Sequence, residues 1–184
     1  ITSIFLIIVL FFALFHSELS WKILVIIFLL MCFYEFYNLI KKINLNKYLS
    51  TGLIFLITMY LYFFYYFSIK IRLDFGKEFI LILLVTCIFS DIGGYVFGKL
   101  IGGPKLTNIS PNKTISGSIG SILFTIFGTI LFLNAIDNIY QAPIILEFSL
   151  KICTWLIMMS IFCQLGDLFV SYLKRKAKVK DTGI

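Results

Sequence analysis

Asp167, Ser171, Lys174, Arg175 and Lys178 are spaced at i, i+4, i+7, i+8 and i+11, which on a helix is a single stripe. The stripe begins inside an apolar segment, Phe148–Val170. It runs into a basic tail that also holds Lys180 and Asp181. One face therefore offers a carboxylate, a hydroxyl and several cations. A carboxylate is a hard oxygen donor suited to Mg2+, and the cations suit phosphate oxygens. A polar helix end with a basic flank would account for the lysines. It would leave Asp167 unexplained, because an ionisable side chain within a membrane segment is costly and by default functional.

A second polar cluster lies earlier in the chain. Asp91 stands in the middle of an apolar segment, and Tyr95 follows one turn later on the same face. After Gly102-Gly103-Pro104-Lys105 comes the run Ser110-Pro111-Asn112-Lys113-Thr114-Ile115-Ser116-Gly117. Pro111 and Asn112 mark a turn before a new helix. Ser110, Lys113, Thr114, Ser116 and the free N–H groups of that helix then form a candidate anion site. The plain alternative is a capped helix start with one basic flank. The spacing is not that of a Walker A loop. Two phosphate-friendly basic clusters thus accompany two membrane carboxylates. Joining a lipid phosphate to a nucleotide phosphate needs that combination, because metal and cations must offset the repulsion between two polyanions.

The elements that position these groups are membrane helices. Hydrophobic residues make up 60% of the chain and charged residues 14%, and the mean hydropathy is +1.02. Soluble domains are typically about 45–50% apolar and about 25% charged. A spanning helix needs about 20 residues, so 184 residues leave room for about six. The apolar segments are Thr2–Phe15, Trp21–Ile40, Tyr48–Phe67, Phe79–Leu100, Ile115–Asn134 and Phe148–Val170. The expected fold is all-α, a polytopic helix bundle forming one membrane domain over 1–184.

Lysine and arginine counts orient the bundle. The connections 41–47 and 99–114 hold three each, and the tail holds five. The connections 16–20 and 135–147 hold none, and 68–78 is an exception with three. The basic side is read as cytoplasmic, and both polar clusters lie on it. The net charge of +7 is thereby assigned to orientation and anionic lipid, with no nucleic acid partner. Cys32, Cys87, Cys153 and Cys163 lie in apolar segments without a CxxC pair, so neither zinc nor a disulfide framework is expected. Gly94, Gly98 and Gly102, and Gly117, Gly120 or Ser121, Thr125 and Gly128, make small-residue stripes that suit close helix packing. Alternatively, Gly93, Gly94, Gly102 and Gly103 let the backbone approach a ligand.

The residues resemble those of the phosphatidate cytidylyltransferase family. Ser171-Tyr172-Leu173-Lys174-Arg175-x4-Lys180-Asp181-x-Gly183 is similar to the opening half of the family signature, S-x-L-K-R-x4-K-D-x-G. Asp91–Gly98 resembles the family's D-x-x-A-Y-x-x-G, with Gly94 in place of Ala, and Ser110–Gly117 its S-P-x-K-T-x-x-G. Tyr34-Glu35-Phe36 is similar to its W-E-F. The resemblance implies synthesis of CDP-diacylglycerol and pyrophosphate from CTP and phosphatidate, with Mg2+ required. It implies Asp167 as metal ligand and phosphate contacts from Ser171, Lys174 and Arg175. Lys180 and Asp181 belong to the same motif with roles not separated. Ser110, Lys113, Thr114 and Ser116, with Asp91 and Tyr95, would bind substrate. The implied setting is a bacterial inner membrane, with the site facing the cytoplasm and membrane lipids around it. A homodimer is one open oligomeric state. The family signature continues into H-G-G-x-x-D-R-x-D, which this chain does not reach, so the chain is read as a fragment with an incomplete site. Two rival readings are a CTP-dependent kinase of a polyprenol or related lipid alcohol, and a membrane transporter.

Overall fold

The computed structural model describes residues 2–43, 45–140 and 150–179. Lys180 and Asp181 lie outside the described residues. Long apolar stretches become helices because a chain in lipid must satisfy its own backbone hydrogen bonds. Among the described residues five helices result: α1 (Thr2–His16), α2 (Glu18–Lys42), α3 (Lys47–Leu100), α4 (Ile115–Tyr140) and α5 (Leu150–Lys176). Among the described residues the only extended pairing is an isolated antiparallel bridge between Lys105 and Thr114.

Four of these helices are long and apolar enough to cross a membrane, α1 being shorter. This differs from the six expected. The segments 48–67 and 79–100 are continuous in α3, which is 54 residues long. The intervening stretch 68–78 has no proline and no cluster of turn formers, so helix continues through it. Only Gly76 departs, at φ 86° and ψ 173°, a conformation that glycine alone adopts without strain.

The chain divides into two compact units. The first comprises residues 1–80 and 173–184. Here α1 gives way to α2 at Ser17, an N-cap with extended backbone (φ −156°, ψ 165°). Ser17 Oγ accepts from the Ser20 N–H and Ser20 Oγ from the Ser17 N–H, both at 3.1 Å, a reciprocal capping box. Trp21 Nε1 donates to Ser68 Oγ at 3.2 Å. The Arg72 guanidinium lies 5.9 Å from the Trp21 ring centroid, and Lys77 Nζ lies 5.0 Å from that of Phe15. Lys70 Nζ is 5.9 Å from the Tyr66 ring. The three cations that broke the charge pattern at 68–78 are thus each paired with an aromatic face.

The last turn of α5 also belongs to this unit. Leu173 and Ala177 are buried with Leu39, and Phe36, Ile43 and Val179 pack around them. The helix ends in a Schellman arrangement, with the Val179 N–H donating to Lys174 O at 3.0 Å and the Lys178 N–H to Arg175 O at 3.1 Å. Lys178 takes the left-handed position, φ 55°. The helical stripe therefore runs from Asp167 to Arg175 but does not reach Lys178, because the backbone reverses there.

The second unit comprises residues 81–172. Here α3 and α4 meet through their glycines. A Cβ added at Gly93 would strike Phe124 and the Gly120 carbonyl, and one at Gly120 or Gly128 would strike the Phe97 or Phe89 ring. Within α3 and α4 the stripes are thus packing surfaces that let two helix backbones touch, while a Cβ at Gly102, beyond α3, would meet nothing within 4 Å. Between the helices lies a layer of hydroxyls, with Thr86, Ser90, Ser121, Thr125, Thr129 and Ser160 all buried. Each has a short side chain that can return a hydrogen bond locally. Thr86 Oγ1 donates to Ile82 O and Thr125 Oγ1 to Ser121 O, both at 2.7 Å. Ser90 Oγ and Ser160 Oγ are 3.0 Å apart and tie α3 to α5.

Candidate functional site

The second unit contains a cavity of about 270 Å³ where the 101–114 connection meets α3, α4 and α5. The connection is shaped by its own backbone. The Leu106 N–H donates to Lys113 O at 2.8 Å, and the Ile115 N–H to Pro104 O at 3.1 Å. A turn closes between Ser110 and Lys113, whose N–H donates to Ser110 O at 3.1 Å. Gly102 and Gly103 take φ 65° and 103°, which turn the chain out of α3. Thr114 then caps α4, its Oγ1 accepting from the Gly117 N–H at 3.1 Å.

Lys113, immediately before the cap, reaches α5. Its Nζ lies 2.9 Å from Asp167 Oδ2, with side-chain exposures of 29% and 59%. Asp91 and Tyr95 of α3, Thr114 and Asp167 line the same cavity. Five of the site residues expected from sequence are thus brought together: Asp91, Tyr95, Lys113, Thr114 and Asp167. Tyr95 is exposed, and its hydroxyl accepts from Lys99 Nζ at 3.3 Å.

Among the described residues, the other expected site residues lie outside the cavity lining. Ser110 and Ser116 are not among the cavity residues. Ser110 forms the turn that presents Lys113. Ser116 Oγ donates to the Gly102 carbonyl and lies 3.0 Å from Thr114 Oγ1. The N–H groups of Ile115 and Gly117 are already engaged, by Pro104 O and Thr114 Oγ1. The helix start is therefore a capped one, with Lys113 as the cation beside it. Ser171 is described with the second unit but does not line the cavity, and Lys174 and Arg175 are described with the first unit. The motif's Leu173 is a packing residue beside Phe36 of the Tyr34-Glu35-Phe36 run.

Gln164, Ser118 and Ser121 line the cavity and were not anticipated. An amide three residues before Asp167 in an apolar run was the available signal for Gln164. Cys163 Sγ lies 3.3 Å from Cys87 Sγ. Each of these free thiols precedes a cavity carboxylate by one helical turn. Among the described residues no group of three His, Cys, Asp or Glu side chains forms a metal site. The cavity's carboxylates are Asp91 and Asp167, accompanied by hydroxyl and amide oxygens. That is a hard oxygen set, of the kind Mg2+ takes when substrate and water complete its shell.

Long apolar helices with a carboxylate- and lysine-lined cavity beside a polar connection define a polytopic integral membrane protein with a polar cavity. Residues 42–184 match the model of the cytidylyltransferase family, and the chain belongs to that family. It is 37% identical over 111 residues to a phosphatidate cytidylyltransferase of Helicobacter pylori strain J99, covering 60% of this chain and 38% of that protein. It is 40% identical over 114 residues to one of Staphylococcus haemolyticus, covering 59% and 39%. A Staphylococcus aureus protein of the same name is 38% identical over 109 residues, again covering 59% and 39%. The matched region is thus about two fifths of the length of these relatives.

Proposed function

We propose that this chain carries part of the active site of a phosphatidate cytidylyltransferase. A phosphate oxygen of phosphatidate attacks the α-phosphorus of CTP. A new P–O bond forms, the bond to the β-phosphate breaks, and pyrophosphate leaves with CDP-diacylglycerol remaining in the membrane. The observation that carries this reading is the convergence of Lys113, Thr114, Asp91 and Asp167 on one cavity. Family membership and the names of the relatives support it.

In this reading Lys113 contacts CTP phosphate, and Asp167 with Asp91 would hold Mg2+, which would offset charge on the phosphates. Ser171, Lys174 and Arg175 contact phosphate on the lipid side, with Lys180 and Asp181 belonging to the same motif. The setting is a bacterial inner membrane with the cavity open to the cytoplasm. We also read α3 as two spans. At about 1.5 Å per residue its 54 residues reach about 81 Å, far more than a hydrocarbon core of about 30 Å. A break at Gly76 lets both halves cross, and α1 brings the count to six.

The test is incubation of membranes carrying the gene's complete reading frame with phosphatidate and CTP labelled either in the cytosine or in the γ-phosphate. Label from cytosine in a liponucleotide is the expected result. A lipid labelled only from the γ-phosphate would mean a kinase, and no lipid product with either label would leave the transporter reading.

A further inference from the structure

We infer that Gln164 is a positioning residue for the site, holding Asp167 opposite Lys113 by clamping α5 to the first turn of α4. Two rungs connect the same two pieces of chain. The charged rung is Lys113 Nζ to Asp167 Oδ2 at 2.9 Å, and its carboxylate is 59% exposed. A pair that open to solvent does not fix two helices, because water competes for both partners and long side chains retain their freedom. The neutral rung lies three residues earlier on α5. Ser118 Oγ donates to Gln164 Oε1. Gln164 Nε2 donates to Ser118 O and to Ser160 Oγ, each at 3.3 Å. Ser160 is fully buried and paired with Ser90 of α3 at 3.0 Å. The amide thus spends both ends on its neighbours, and the network joins α3, α4 and α5 beneath the cavity. Such a network is rigid because every member is satisfied in a medium of low dielectric.

The geometry gives Gln164 a role distinct from substrate contact. Thr114 caps the turn of α4 that carries Ser118, and Lys113 precedes that cap. Asp167 is one turn beyond Gln164 on α5. Fixing Ser118 to Gln164 therefore fixes the register in which the lysine meets the carboxylate. Only the kinetic part of the test rests on the cytidylyl-transfer reading.

The experiment is zero-length cross-linking of the full chain in membranes. A water-soluble carbodiimide activates the Asp167 carboxyl, the Lys113 amine displaces it as an amide, and a urea leaves. The linked peptide is quantified by mass spectrometry, with Asp167→Asn as the blank. Gln164→Met keeps the volume and removes the hydrogen bonds. It is expected to lower the amide yield about tenfold. Ser118→Ala, which removes only the hydroxyl bond, should lower it less, and Ser118→Thr, which keeps the hydroxyl, should restore the yield. In the kinetic arm kcat for CDP-diacylglycerol should fall with Gln164→Met while KM for phosphatidate is unchanged. An undiminished amide yield in Gln164→Met overturns the positioning role. If that variant does not fold, an undiminished yield in Ser118→Ala overturns it equally. A lowered yield in a chain whose native form makes no CDP-diacylglycerol upholds the positioning and removes the activity reading alone.

Discussion

Lys113 joins the 101–114 connection to α5 through one exposed ion pair. Such pairs contribute about 0–1 kcal/mol to stability, so Lys113→Ala should leave the unfolding temperature nearly unchanged. Its effect should fall on catalysis. A lost charge-assisted phosphate contact costs about 1.5–3 kcal/mol, or about 10- to 150-fold. That loss should appear in kcat/KM for CTP, with KM for phosphatidate little altered. Equal loss for both substrates would indicate general disruption. Asp167→Asn keeps the size and removes the charge. Turnover should be abolished while the protein still inserts and unfolds at its normal temperature. Near-normal turnover at saturating Mg2+ would remove Asp167 from the site.

At the scale of elements, α3 and α4 are held by shape. A Cβ at Gly117 would stand 2.8 Å from Gly94 O and 3.3 Å from Gly98 Cα, both backbone atoms that cannot swing away. Gly117→Ala should therefore force the helices apart at about 1–3 kcal/mol. Because Gly94 and Gly117 also line the cavity, stability and activity should fall together. Loss of activity at full thermal stability would mean that the glycine serves the ligand and not the packing. The end of α5 offers a change of opposite sign. Lys178 occupies a left-handed C-terminal position that a glycine fills without Cβ strain. Lys178→Gly should stabilise the chain by up to about 1 kcal/mol, read as a higher unfolding temperature in detergent. An unchanged or lower temperature would show that the lysine side chain offsets its own backbone strain.

At the scale of the whole molecule, orientation follows from where the lysines fall. The lysines at 41–47 and 99–114 should lie in the cytoplasm. The three cations at 68–78 run against that orientation, each lying over an aromatic ring. In intact cells, an impermeant thiol reagent should spare a cysteine at Asn46 or Asn108. It should label one at Asp74, if α3 crosses twice around Gly76. Labelling of Asn46 and Asn108 with protection of Asp74 would invert the topology. Protection of all three would mean that α3 does not reach the far side.

The sequence by itself determined the class of protein, because composition and the length of apolar runs follow directly from the cost of exposing backbone in lipid. It also singled out Asp91 and Asp167, since ionisable groups are expensive in membrane segments, and Lys113, from its place just before a helix start. It offered the glycine stripes as packing surfaces or as places of close ligand approach, and the structure packs those within α3 and α4 but not Gly102. It read residues 68–78 as a connection between two spans, whereas helix continues through them apart from Gly76, because charge alone does not break a helix in a stretch without proline or clustered turn formers. Ser116 looked equivalent to Thr114 along the chain. Only the folded connection shows that Gly102 draws the Ser116 hydroxyl away while Thr114 stays at the cavity. Gln164 and Ser118 lie 46 residues apart, and no local periodicity couples positions so distant. Their pairing is decided by how closely α4 and α5 pack, a property of three-dimensional shape that no residue carries alone.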